Sequence, residues 1–357
     1  MPKPEHMPDQ TPDLMTLLAG DAAVAALFTD EAWLARIAKV EAALSLAAGD
    51  AGVVSADLAR QAATFIEVFR PEMAALRKGM VQDGLPVPDY VRQLKAAADP
   101  ALRPALHVGA TSQDILDSAL MLALNGLNDR FAADLAALIA ALDDLATRQS
   151  DQPLMGRTRM QAALPITAGD RIATWRAPLP RHLDRLAELR PRLEVVQYGG
   201  PVGLRGGPGD RATGDAIADA LADRLGLQRA PAQWHSARDG IAEYAGWLSL
   251  VTGATGKIGQ DIALMAQMGE IGLAGGGTSS AMPHKQNPVG AETLVTLARD
   301  NAGQLPLMHQ ALLHEQERSG AAWVLEWLAL PRMLQATARS LSLCTDLIGR
   351  VQRIGEG

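Results

Sequence analysis

The chain has 357 residues, enough for a large buried core, with 33 basic against 40 acidic residues and a formal net charge of −7. The two signs are interleaved without a basic stripe, which argues against nucleic acid as a partner, and charges break each apolar run short of membrane-spanning length, as Asp117 and Asp129 bracket Ser118 to Asn128. The single cysteine, Cys344, reads as a core residue and excludes an intrachain disulfide framework, while the polar, Pro-rich opening Met1 to His6 has no apolar signal core, so a cytoplasmic protein is expected.

Apolar periods of three and four dominate, and aromatics and β-branched alternation are scarce, so the expected fold is all-α. Glu31 to Ala48 carries Trp33, Ile37, Val40, Ala43 and Leu44 on one face; Ala56 to Phe69 is a second short helix, and Pro71, Pro86 and Pro88 punctuate the segment after it. A boundary near Pro104 to Gly109 divides a smaller N-terminal helical domain (1–108) from a central bundle of long helices (109–357). From Thr111 onward Leu120, Leu124, Leu127, Phe131, Leu135, Leu138, Leu142 and Leu145 predict one helix from about Ser112 to Arg148, roughly 55 Å long. A shorter, Arg-rich helical pattern covers about Ala168 to Leu189. Gly199 to Gly209 reads as a loop; it lacks the Gly-Lys-Ser/Thr ending of a phosphate cradle and comes after a helical pattern, so no nucleotide site is expected. Ile241, Tyr244, Leu248, Val251, Thr255, Ile258, Ile262 and Met265 predict a second long helix, and Leu334 to Ile354 a last one. Helices of this length bury their stripes against one another, often across subunits.

Three polar stretches interrupt this frame. In His107-Val108-Gly109-Ala110-Thr111-Ser112-Gln113-Asp114, Thr111 and Asp114 have capping-box spacing, and the helix N-terminus that they begin is a ready carboxylate site. Gly156-Arg157-Thr158-Arg159-Met160-Gln161 sits just before a helix and carries two arginines, which match carboxylates in a bidentate way; ordinary surface charge is the alternative. Gly275-Gly276-Gly277-Thr278-Ser279-Ser280-Ala281-Met282-Pro283-His284-Lys285-Gln286-Asn287-Pro288 joins a glycine hinge to two hydroxyls, a cation and an amide, as a closing active-site loop needs. His235, His284, His309 and His314 lack metal-ligand spacing, so neither a metal nor another cofactor is expected. Trp323 and Trp327 are expected to pack the bundle, and Asp143-Asp144 to face solvent.

In this order and on this helical frame, the three stretches resemble the aspartase/fumarase superfamily over almost the whole chain. The third matches its Gly-Ser-Ser-x-Met-Pro-x-Lys-x-Asn-Pro loop except that Thr278 stands at the first position. The first matches His-x-Gly-x-Thr-Ser-x-Asp through His107, Gly109, Thr111, Ser112 and Asp114. The second matches Gly-Arg-Thr-His-x-Gln except that Arg159 replaces the histidine. Within the superfamily the likeness is greatest to the bacterial 3-carboxy-cis,cis-muconate cycloisomerases, through Trp234-His235-x-x-Arg238-Asp239, Lys257-Ile258-x-x-Asp261 and Glu317-Arg318-Ser319-x-x-x-Trp323-x-x-Glu326-Trp327; adenylosuccinate lyases share several of these features.

The resemblance implies an elongated long-helix bundle, a homotetramer whose active sites combine residues of three subunits, and removal or return of a proton beside a carboxylate through an aci-carboxylate intermediate. By position, Ser279 looks like the base, ionised by nearby cations and loop N–H groups, with Lys285 assisting. The implied substrate-binding residues are His107, Thr111, Ser112, Gln113, Arg157, Thr158, Gln161, Arg238, Ser280, Met282, Asn287 and Arg318; for His107 a structural role at the cap is an equal alternative. Arg159 then discriminates. An alcohol, amine or amidine leaving group benefits from a proton donor, which the family histidine would supply, whereas a carboxylate departs as a stable anion. An arginine stays protonated near neutral pH and cannot be that acid. The expectation is a cycloisomerase acting on a small tricarboxylate, whose three charges suit Arg157, Arg159, Arg238, Lys285 and Arg318. A non-catalytic helical scaffold is the more distant alternative. Superfamily chains usually continue into a further small helical domain, so a shortened form is expected here.

Overall fold

A computed structural model describes residues 14–206, 209–278, 282 and 286–355. Among the described residues the first six α-helices are α1 (Leu14–Ala19), α2 (Ala22–Ala26), α3 (Asp30–Asp50), α4 (Ala56–Val68), α5 (Met73–Asp83) and α6 (Val87–Ala97). Local chemistry fixes their starts. The Thr29 hydroxyl accepts from the Ala32 N–H at the head of α3, with Asp30 and Glu31 in its first turn; the Ser55 hydroxyl does the same for α4 from Leu58. On α3 the stripe Ile37, Val40 and Leu44 is wholly buried.

The long elements come next: α7 (Ser112–Gln149), α8 (Ala168–Arg176), α9 (Pro178–Leu193), α10 (Arg211–Leu225), α11 (Asp239–Gln267), α12 (Val289–Gln310) and α13 (Ala321–Gly349). The apolar stripe expected on α7, from Leu120 to Leu145, is buried along its full length. With 38 residues α7 is about 57 Å long at 1.5 Å per residue. Helices α7, α11 and α13 run in the same direction. Arg238, just before α11, meets Asp117 of α7 and Glu326 of α13 at one end, and Arg148 of α7 donates to the Val351 carbonyl just past α13 at the other. Helices α9 and α12 return between them, so Glu194 at the end of α9 meets Asn125 and Asn128, and Asn301 of α12 meets Thr337 of α13. The result is an elongated, predominantly helical bundle with two ends, called here the head (where α7 starts) and the foot (where it stops). Among the described residues no helix is long and apolar enough to cross a membrane.

Two expectations need correction. The last long helix starts at Ala321 rather than Leu334 and stops at Gly349, because Trp323, Leu330 and Met333 continue the buried stripe through Pro331. Residues Val351–Ile354 are instead a strand. The second polar stretch does precede a helix, α8, as expected, but it is itself a β-hairpin, β1 (Pro153–Thr158) with β2 (Gln161–Thr167). Short strands β3 (Ile271–Leu273), β4 (Gly277–Thr278), β5 (Gln286–Asn287) and β6 (Val351–Ile354) complete the foot: β3 pairs with β6, and β4 with β5. As expected, Cys344 is buried, and its thiol is pushed up by that burial. Asp143 and Asp144 face solvent, where they pair with Arg176 and Arg148.

Candidate active site

At the head, one carboxylate organises the first polar stretch. Asp114 Oδ2 accepts from the Thr111 N–H at 2.8 Å, half of the capping box expected there, and from the Gly200 N–H at 2.9 Å. Its Oδ1 accepts from the Gly199 N–H at 2.8 Å and lies 2.7 Å from His235 Nε2. Asp114 thus ties the N-terminus of α7 to the glycine-rich loop after α9 and to the segment before α11. The loop can come this close because Gly200 has φ +73° and lies where a Cβ would stand 2.8 Å from the Gly109 carbonyl.

Against this turn lies Arg318, from the connection between α12 and α13. Its Nη1 donates to the Thr111 hydroxyl at 3.0 Å, and its Nη2 donates to the Pro201 carbonyl at 3.1 Å. Ser112 is half-buried in the first turn of α7 beside Thr111. His107, with φ +57°, places Nδ1 2.7 Å from Glu41 Oε1. The structure therefore brings His107, Thr111, Ser112 and Arg318 to one helix N-terminus, where free N–H groups and an arginine suit a carboxylate.

Two residues expected to touch substrate point elsewhere. Gln113 is fully buried and its Nε2 donates to the His235 carbonyl at 2.9 Å, so it joins α7 to the segment before α11. Arg238 is also buried. Its guanidinium donates to both oxygens of Asp117 (2.7 and 3.1 Å) and both of Glu326 (2.9 and 2.6 Å), and stacks on Trp234. Burial works against its charge, but the two carboxylates hold it firmly protonated. Its charge is spent inside the bundle and is not offered to a ligand. Trp323 packs there too, donating to Asp117 at 3.2 Å and meeting Trp327 edge to face, in line with the expected packing role.

The foot carries the other two stretches. Arg159 and Met160 are the two turn residues of the β1–β2 hairpin, with φ +49° and +66° and Thr158 paired across from Gln161. Two positive φ values match the twist of a two-residue hairpin and place both side chains at its tip, and Thr158, Arg159 and Gln161 are all exposed. Arg157 is tied back instead: its Nη2 donates to Glu270 Oε1 at 2.5 Å, anchoring the hairpin to the residue before β3. In the third stretch Asn287 is half-buried in β5, opposite Gly277 of β4, and Met282 is exposed. The glycine triplet has a static reason besides any hinge. Gly275 has φ +69°, and a Cβ on Gly277 would stand 2.5 Å from Val289. Ser279, Ser280 and Lys285 lie outside the described residues.

Head and foot are separated by the length of α7, so one copy of the chain does not bring the first stretch to the other two. A hollow of about 430 Å³ between α3, α5, α7 and α13 does not resolve this. Trp33, Met73, Leu120, Trp327 and Leu330 line it, and it suits apolar packing rather than a polyanion.

The protein family described as lyase matches residues 25–303. The chain belongs to this lyase family. Among the lyase relatives is the 3-carboxy-cis,cis-muconate cycloisomerase of Pseudomonas aeruginosa, 38% identical over 92% of this chain and 72% of that protein. The nitrosuccinate lyase of Streptomyces davaonensis is 35% identical over 94% of this chain and 73% of its own length. The crystal structure of the 3-carboxy-cis,cis-muconate lactonizing enzyme from Pseudomonas putida superposes with a TM-score of 0.88 at 34% identity, covering 96% of this chain and 77% of that one. The lyase family thus meets the aspartase/fumarase resemblance, and the long-helix bundle is the fold that it implied.

Glu41 and Glu270 were missed in the sequence, although each now holds a motif residue. The signal for Glu41 was legible: it is an acid next to Val40 on the stripe Ile37, Val40 and Leu44, where a charge needs a partner. For Glu270, at the end of a long helix, the sequence pattern held no such sign.

Proposed function

We propose that this chain is a 3-carboxy-cis,cis-muconate cycloisomerase. Arg159 carries the reading: the exposed tip of the hairpin presents an arginine where the superfamily motif has histidine. A fixed cation cannot protonate a leaving alkoxide or amine, but it orients and stabilises a carboxylate. In the forward direction a substrate carboxylate adds to the conjugated diene. One C–O bond forms, the displaced π electrons pass into an adjacent carboxylate as an enediolate, and the α-carbon then takes a proton from the Ser279 hydroxyl. A proton from solvent then restores the Ser279 hydroxyl, and no change of oxidation state occurs, so no electron carrier or second organic substrate enters. Lys285 stabilises the serine oxyanion, and Asn287, Ser280, Thr158 and Gln161 hold carboxylates at the foot. Thr111, Ser112, His107 and Arg318 do so at the head.

A complete site therefore needs copies packed head to foot, and we read the assembly as a homotetramer. Exposed Leu250 on α11 and Val324 and Leu328 on α13 give the long helices apolar outer faces for such packing. A second reading is favoured by the nitrosuccinate lyase relative: nitrite also leaves as a stable anion, so Arg159 would suit it.

The decisive experiment supplies purified protein with 3-carboxy-cis,cis-muconate and tracks loss of the diene absorbance, with NMR of the product. A lactone is expected, and Ser279→Ala should lower kcat by about 10²–10⁴-fold. Nitrite from nitrosuccinate or fumarate from adenylosuccinate, with no reaction of the muconate, would overturn the assignment.

A further inference from the structure

Glu41 sits mid-way along α3, fully buried, and its second oxygen, Oε2, is buried without a hydrogen-bond partner. A carboxylate costs several kcal/mol to desolvate, so a site like this is retained only where its pairing serves something. Its partner is His107, whose side chain remains 16% exposed while that of Glu41 is 0% exposed. Nδ1 faces the acid, which leaves Nε2, on the opposite edge of the ring, as the nitrogen open to a ligand.

The backbone is fixed around this pair. His107 has φ +57°, a left-handed conformation that costs a non-glycine residue about 1–2 kcal/mol and persists only where the surroundings impose it. They do so here: Tyr198 donates to the Val108 carbonyl at 3.2 Å, Gly109 abuts Gly200, and Thr111 is held by Asp114 and Arg318. A strained turn clamped at this many points keeps the imidazole in one place at the head, beside the hydroxyl and guanidinium already gathered there.

We infer that Glu41 is a positioning residue that holds the His107 ring so that Nε2 donates to a carboxylate of the substrate at the head of the bundle. This rests on the cycloisomerase reading above for the identity of the substrate, but the geometry asks only for a polycarboxylate. The electrostatics agree. Burial alone would drive the ring neutral, and Lys95 on α6 adds to that. Glu41 on α3 outweighs both, with help from Asp114 on α7, and the imidazole sits above its ordinary value. Tyr90, also on α6, faces the same acid; its hydroxyl is pushed up by burial and by Glu41, and Arg70 offsets part of that.

The test compares wild type with Glu41→Gln, which preserves shape and a hydrogen-bond acceptor but not the charge. For 3-carboxy-cis,cis-muconate the variant should raise KM about tenfold, the equivalent of one charge-assisted hydrogen bond, while kcat changes less than about twofold. The alkaline limb of kcat/KM should move to lower pH, because His107 loses its proton sooner. His107→Gln should give the same KM, and the double variant no more. A folded Glu41→Gln enzyme with wild-type KM and an unmoved alkaline limb overturns the inference. If wild type itself leaves the muconate unchanged, it is the cycloisomerase reading that fails. The inference then stands or falls on NMR titration of His107 in the wild-type protein with and without propane-1,2,3-tricarboxylate. Bound anion should raise the pKa of the ring, and an unmoved titration overturns the inference without any variant having to fold.

Discussion

At the head of the bundle Asp114 takes four hydrogen bonds, and Arg238 is locked between two buried carboxylates, whereas at the foot the Arg159 turn stands exposed on a two-stranded hairpin that an arginine–glutamate pair, Arg157 with Glu270, ties to the bundle. Both ends carry arginines in motif stretches, yet the charges serve different purposes. Those at the head are largely consumed in fixing where α7, α11 and α13 begin. At the foot Arg157 is tied to Glu270, and Arg159 faces outward. A motif arginine is therefore a candidate ligand only after its internal partners have been counted.

The largest effect should come from removing the buried charge. Arg238→Met leaves Asp117 and Glu326 close together without a cation and should cost about 3–5 kcal/mol, read as a fall in denaturation midpoint. Arg157→Met at the foot removes a cation whose own side chain is 30% exposed, beside a glutamate that is 5% exposed, and should cost about 1 kcal/mol. Equal losses would show that the two ends are held on the same terms.

Turnover should separate the two ends next. If head and foot serve different sites of an assembly, Arg318→Ala and Arg159→Ala should each reduce turnover by about 10²-fold or more, as loss of a charged substrate contact does. Mixing the two inactive proteins under conditions that exchange subunits should restore a measurable fraction of activity, because some sites then draw an intact head from one copy and an intact foot from another. A mixture as inactive as its parts would count against a site shared between copies.

Much of this was legible in the sequence because it was periodic. The α7 stripe from Leu120 to Leu145 predicted both the helix and its buried face, and the capping spacing of Thr111 and Asp114 located its start. The hairpin escaped because Gly156 to Thr167 is too short and too polar at its tip to show alternation. Its turn also uses Arg159 and Met160 rather than the asparagine or glycine that usually announces two left-handed residues. Gln113 and Arg238 were misjudged for another reason. A motif names residues, but whether a side chain faces ligand or interior depends on partners more than eighty residues away, such as Glu326 for Arg238 and His235 for Gln113.

The smallest predicted effect separates two histidines by the sign of their pH dependence. His182 of α9 is buried, with Nε2 lacking a hydrogen-bond partner and Nδ1 3.4 Å from Arg185, and burial, then Arg185 and Arg181, lower its pKa to about 4. The folded state therefore binds fewer protons than the unfolded chain, whose histidine titrates near 6.5. Stability from this group is complete above pH 6.5 and is lost as the pH falls through 6.5 toward 4. His107 has the opposite sign: its raised pKa contributes stability below 6.5 that disappears as the pH rises through the folded value. Melting curves from pH 8 to pH 5 on wild type, His182→Leu and His107→Gln resolve the two. His182→Leu should recover about 1 kcal/mol relative to wild type at pH 5, after allowance for solvent screening, and none of it at pH 8. His107→Gln should cost more at pH 5 than at pH 8. If both variants shift stability in the same direction with pH, the glutamate beside His107 does not govern its charge, and Arg318 is left as the cation facing the N-terminus of α7.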